Sequence, residues 1–179
     1  MLRTRCNWLG GAVLVVLAGV AVPESRAETA RDGLALAAAA ADAWADDARL
    51  VWVENDSSID AFGQAASWGY LYYSPEKHAM RSWSVDGAEI VEAVDQAVVA
   101  EAPAIDSGWK DSAEIAAVAM QKAAEELGVT SPVFDSLVLV RGVFAPGSAW
   151  VAVFANGGGP RLFLLFDSRS GDLQRKWRG

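Results

Sequence analysis

Trp68-Gly69-Tyr70-Leu71-Tyr72 and Trp150-Val151-Ala152-Val153-Phe154 are the two stretches whose reading decides the fold. The first places Trp68, Tyr70 and Tyr72 at the two-residue period of a strand, and the second matches it from Trp150 to Phe154. Each starts 39 residues after the opening of a helical run, at Thr29 for the first and Asp111 for the second. A glycine turn follows each, at Gly87-Ala88 and at Gly171-Asp172. A helix followed by strands, used twice, predicts an α+β chain of two repeats, each one helix packed on an antiparallel β-meander. A unit repeated in this way reads as a scaffold for binding.

Working outward from these strands, the Ala-rich run from Asp32 to Asp47 is strongly helix-forming. Thr29 with Asp32 resembles its N-terminal cap. Strands are expected over residues 49–54, 68–73, 80–85 and 88–94, with Asp86-Gly87 as a hairpin turn. Trp68, Tyr70 and Tyr72 would share one face. Residues 96–110 read as a linker with some helix, broken by Pro103 and Gly108. Asp111-Ser112-Ala113-Glu114 has the form of a capping box, and Gly128 stops the helix. Ala116, Ala119, Ala123 and Leu127 form its apolar stripe. Strands over 137–144, 150–155, 161–167 and 172–178 complete the second half, with 161–167 expected to be central. The organisation is therefore 1–27 leader, 28–95 first repeat, 96–110 linker and 111–179 second repeat.

The leader reading rests on Arg3 and Arg5, the apolar run Trp8 to Val22, and Ser25-Arg26-Ala27. That pattern is a secretory signal with cleavage after Ala27, and it predicts a periplasmic or secreted protein that does not span the membrane afterwards. The lone Cys6 precedes the apolar run, so residues 28–179 contain no cysteine and exclude disulfides, thiol catalysis and Cys-ligated metals. Those residues hold 12 basic and 22 acidic side chains. Net acidity argues against nucleic acid as a partner. The charge is uneven: residues 28–135 carry 20 acidic and 6 basic groups, residues 136–179 carry 2 and 6.

The capped helix, the aromatic-led strand and the ending Phe166-Asp167-Ser168-Arg169-Ser170-Gly171-Asp172-Leu173 resemble a PepSY domain. The resemblance covers residues 111–179, and reaches 29–94 only through the internal repeat. It implies a small bacterial extracytoplasmic module with cystatin-like packing of helix on sheet, and a role connected with peptidase propeptides or inhibition.

Residues that could carry chemistry are few. His78 is the only histidine and sits in the turn Pro75-Glu76-Lys77-His78, with no nucleophile or orienting carboxylate in pattern with it. Asp42, Asp46 and Asp47, then Glu54, Asp56 and Asp60, lack the spacing of a calcium loop and read as a solvated face. Asn156-Gly157-Gly158-Gly159-Pro160 lacks the lysine and helix of a phosphate loop, and reads as a hairpin tip. The expectation is a non-enzymatic protein without cofactor or metal, whose partner is a protein or peptide. A carrier of a small apolar ligand and a peptidase-inhibitor-type regulator are the alternatives. The candidate partner contacts are Trp83, between two serines, and Trp177 with Arg175 and Arg178.

Overall fold

The computed structural model describes residues 27–97 and 101–179. The leader reading of residues 1–27 falls, except for Ala27, outside the described residues. Ten elements follow in order: α1 (Leu34–Trp44), β1 (Arg49–Asn55), β2 (Ser67–Ser74), β3 (Ala79–Asp86), β4 (Glu89–Gln96), α2 (Ser112–Leu127), β5 (Val133–Arg141), β6 (Ser148–Asn156), β7 (Gly159–Asp167) and β8 (Leu173–Arg178).

The expected fold class is corrected. The chain is not two helix-plus-meander repeats but one eight-stranded sheet in the order β4-β3-β2-β1-β5-β6-β7-β8, with strand residues well outnumbering helical ones. The joint is β1 against β5, antiparallel, with Trp52 opposite Val140, Val53 opposite Leu139 and Glu54 opposite Val138. Asn55 secures it by accepting the Leu137 N–H on its side-chain oxygen at 2.8 Å. Two four-stranded meanders would each leave a central edge of unpaired backbone groups. Joining those edges satisfies them and makes one core.

Both helices lie on one face, called here the inner face. Trp68, Tyr70 and Tyr72 point into it, as their alternation predicts, and so do Trp150, Phe154 and Phe166. The two tryptophans are fully buried yet polar at one atom. Trp68 donates its indole N–H to the Glu28 carbonyl and Trp150 to the Lys110 carbonyl, both at 2.9 Å. Tyr70 donates to the Ala30 carbonyl at 2.9 Å. Each ring thereby pins the segment that leads into a helix, while filling the core with large apolar area.

Local signals held unevenly. Asp111 caps α2, and its capping box with Glu114 is complete. Ala116, Ala119 and Ala123 are buried, and Gly128 ends the helix at φ 67°. Helix α1 begins only at Leu34, on Gly33, with no side-chain cap. Thr29 instead donates its backbone N–H and hydroxyl to Asp32. Small residues let α1 lie close to the sheet: Ala37 and Ala41 are fully buried. Residues 101–110 contain no helix. They are held as an extended tie across the sheet: Ile105 N–H donates to the Leu50 carbonyl, and Asp106 accepts from Ser148 through both its N–H and its hydroxyl. Strand β7 is not central, because β8 alone separates it from solvent at the edge. Its apolar run reflects burial on both faces instead.

Candidate functional site

The sheet face turned away from the helices is built differently in its two halves. Over β5–β8 it is closed. Ala149, Val151, Val153 and Leu165 form a second small core there, with Ala145, Phe163 and Trp177 packed against it. Trp177 stacks on Phe163 at 5.1 Å between centroids, and Phe144 of the β5–β6 loop meets Trp177 at 5.6 Å. A loop and one ring thus cover this half.

Over β1–β4, among the described residues, nothing comparable covers the face, and it forms an open groove of about 650 Å³. Its floor follows from strand register. Glu54 on β1, Gly69 on β2, Ser84 on β3 and Glu92 on β4 stand in one row across four strands. The next row runs Trp52, Leu71, Ser82, Val94. One row is therefore acidic and the other mainly apolar. Asp56, just past the end of β1, leans into the acidic row toward Ser84. It fits because residue 69 is glycine: a Cβ there would lie 2.5 Å from the Asp56 Oδ1. Gly69 is thus the seat of the carboxylate rather than a turn residue.

The electrostatics match this placement. Burial raises the pKa of Glu54 above the ordinary carboxylate range, opposed by a hydrogen bond with Trp52 and reinforced by the Asp56 charge. Burial likewise raises Asp56, opposed by Ser84 and reinforced by Glu92. Among the described residues, no Lys or Arg lines the groove. Mutually repelling carboxylates with no cation beside them favour a positively charged occupant. Among the described residues, no three His, Cys, Asp or Glu side chains are grouped as a metal site would require.

Two of the acidic groups outside the groove, Asp47 and Asp60, have structural work. Asp47 accepts from the Ser74 hydroxyl at 2.5 Å and the Glu76 N–H at 2.7 Å, which holds its pKa low and fixes the β2–β3 turn. Asp60 accepts from the Phe62 and Gln64 N–H groups. His78 is exposed, at φ 48°, in that same β2–β3 turn.

The four residues expected as partner contacts are not brought together. Trp83 is corrected: it is 4% exposed, on the inner face, with Tyr72 at 5.7 Å and Trp44 at 5.8 Å, both edge-on. Its serine neighbours point to the outer face while it points in, because successive strand residues alternate. Trp177 is half-buried as the cover just described, with Arg175 over its ring at 5.4 Å. Arg178 is on the helix side, donating to the Glu126 carbonyl at 2.9 Å. The groove residues Glu54, Asp56 and Glu92 were missed as a site. Their sequence separation hides a row that only strand register assembles.

No family model matches the chain, so the PepSY resemblance gains no support there. No curated protein matches it either. A solved structure does. It is the crystal structure of a putative lipoprotein from Clostridium difficile 630, superposing with a TM-score of 0.53 over 77% of this chain and 87% of that one. The two are 10% identical, so what they share is the fold. Among the described residues, no helix is long and apolar enough to cross a membrane.

Proposed function

We propose that this chain is a non-enzymatic extracytoplasmic binding module that takes a basic segment of a protein or peptide into the β1–β4 groove. One observation carries the reading: the half-buried Glu54 stands beside the exposed Asp56 and Glu92 on an open sheet face, with no Lys or Arg among the described lining residues. A protein pays to desolvate carboxylates unless something offsets the cost. A lysine or arginine side chain would offset it, while its methylenes lie on Leu71, Met80 and Val94. A small apolar ligand would leave the carboxylates unmet, which places carriage behind peptide binding. The extracytoplasmic placement is supported by the leader-like residues 1–27, and loosely by the fold shared with a putative lipoprotein. Under the PepSY resemblance of residues 111–179 the partner would be a secreted peptidase, which an inhibition assay addresses.

Calorimetric titration of residues 28–179 with a lysine-rich peptide and with a glutamate-rich control tests the proposal. Binding of the first alone, weakened by salt and by the Glu54→Gln/Asp56→Asn double variant, is the expected result. Equal binding of both peptides, or of neither, overturns it.

A further inference from the structure

Among the described residues the sheet has two unpaired edges, β4 and β8, and they carry opposite charge. Strand β4 bears Glu89, Glu92 and Asp95 and no basic residue. Strand β8 bears Arg175, Lys176 and Arg178 and no acidic one. Each pairs on one side only, β4 with β3 and β8 with β7, so each presents a row of backbone donors and acceptors outward. Every residue of β4 is exposed, including Ile90, Val91 and Val94 at 37%, 57% and 38%. An exposed, partly apolar edge of eight residues is a template for another strand.

We propose that the strand it takes is β8 of a second copy of this chain, so that copies join head to tail through their sheets. Charge decides among the possible pairings. Residues on the same face of neighbouring strands stand about 5 Å apart, where like charges destabilise and opposite charges stabilise. Two β4 edges would set glutamates against glutamates, and two β8 edges would set arginines against arginines. Only β4 against β8 places Arg175, on the outer face opposite Leu165, in reach of the outer-face Glu92, with the helices of both copies on one side. The incoming strand also buries Val91 and Val94. The overall excess of acid in residues 28–135 and of base in 136–179 thus becomes a polarity of the sheet itself. Because the surfaces that meet differ, each dimer keeps one free edge of each kind, and assembly continues to rings or filaments. A strand-to-strand contact is small, so the association is weak and concentration-dependent. The inference goes beyond the groove reading: it rests on the backbone edges and the charges of β4 and β8 themselves, and Glu92 is the charged residue it shares with the groove.

The test is sedimentation equilibrium of residues 28–179 over a range of concentration and salt. The expected result is an average mass rising past the dimer with concentration and falling with salt. Glu89→Lys/Glu92→Lys and Arg175→Glu/Lys176→Glu should each weaken association by at least about tenfold. An equimolar mixture of the two variants should restore it, because each then offers an edge that suits the other. Circular dichroism and melting curves confirm that both variants fold. A wild-type monomer at the highest soluble concentration overturns the inference, and so does a dimer that survives in both variants or a mixture that stays monomeric. The basic-peptide titration separates the two readings. A monomer that still binds the peptide removes only the self-association, whereas an oligomer indifferent to the peptide removes the groove as a general basic-segment site.

Discussion

The outer faces of β1–β4 and β5–β8 start from similar strands and end with opposite properties. Over β5–β8 the outward positions are Ala149, Val151, Val153, Phe163 and Leu165, and the chain covers them with Ala145 and Trp177. Over β1–β4 the outward positions set Glu54, Gly69, Ser82, Ser84 and Glu92 beside Trp52, Leu71 and Val94, and among the described residues nothing closes over this mixed face. The difference teaches where function and stability are divided. Apolar outward residues call for a cover, and the cover turns that half into a second core. Polar outward residues need none, so the face remains available to a partner.

The comparison breaks most visibly if a charge is placed on each face. Val151→Glu puts a carboxylate under the Trp177 cover and should cost about 3–5 kcal/mol, the range for an unpaired buried charge. Leu71→Glu, on the groove floor, should change stability by no more than about 1 kcal/mol. Urea denaturation of both variants reads the contrast, and equal losses would mean the two faces are equally closed.

Removing one tryptophan from each face sharpens it. Trp177→Ala strips the ring that stacks on Phe163 and meets Phe144, at an expected cost of about 2 kcal/mol. Trp52→Ala, at the groove, should cost about half as much, while weakening basic-peptide binding through loss of its ring from the groove lining. Paired denaturation and titration experiments would separate the two roles.

A smaller effect is expected from pH. Glu54 and Asp56 have pKa values raised in the folded state, so the folded protein binds more protons than the unfolded chain between the ordinary carboxylate range and the raised values. Stability contributed by these two groups therefore grows as pH falls through that window and declines as pH rises through it. Cation binding runs the opposite way, since it needs the ionised carboxylates. Glu54→Gln/Asp56→Asn should flatten both dependences, which melting temperature and peptide affinity against pH would show. Asp47, Asp106 and Asp167 work in the other sense. Hydrogen bonds lower their pKa values, and the stability they provide is lost as pH drops below the ordinary range toward the lowered values.

The smallest expected change is Gly69→Ala. The added methyl displaces the Asp56 carboxylate from its seat against Ser84. Global stability should shift by about 1 kcal/mol or less, while the Asp56 titration, followed by NMR, should move toward the ordinary carboxylate value.

Local chemistry made some of this legible. The α2 capping box is visible in Asp111-Ser112-Ala113-Glu114 because its parts are three residues apart, within one turn. The inward set Trp68, Tyr70 and Tyr72 is visible because strand alternation is local too. Trp83 is buried although serines flank it, because alternation sends neighbours to the opposite face. The groove was not legible at all: Glu54, Asp56, Gly69, Ser84 and Glu92 meet only after four strands have paired in register.

By itself, then, the sequence determined most of the elements, the hairpin turns, the face on which the large aromatics would be buried and the uneven charge along the chain. These depend on interactions across a few residues. The tertiary structure alone decided that β1 would join β5, because an unpaired strand edge can be satisfied only by another strand distant in sequence. That pairing replaced two expected repeats with one sheet and set the acidic and basic stretches at opposite edges, with an open groove beside the acidic one.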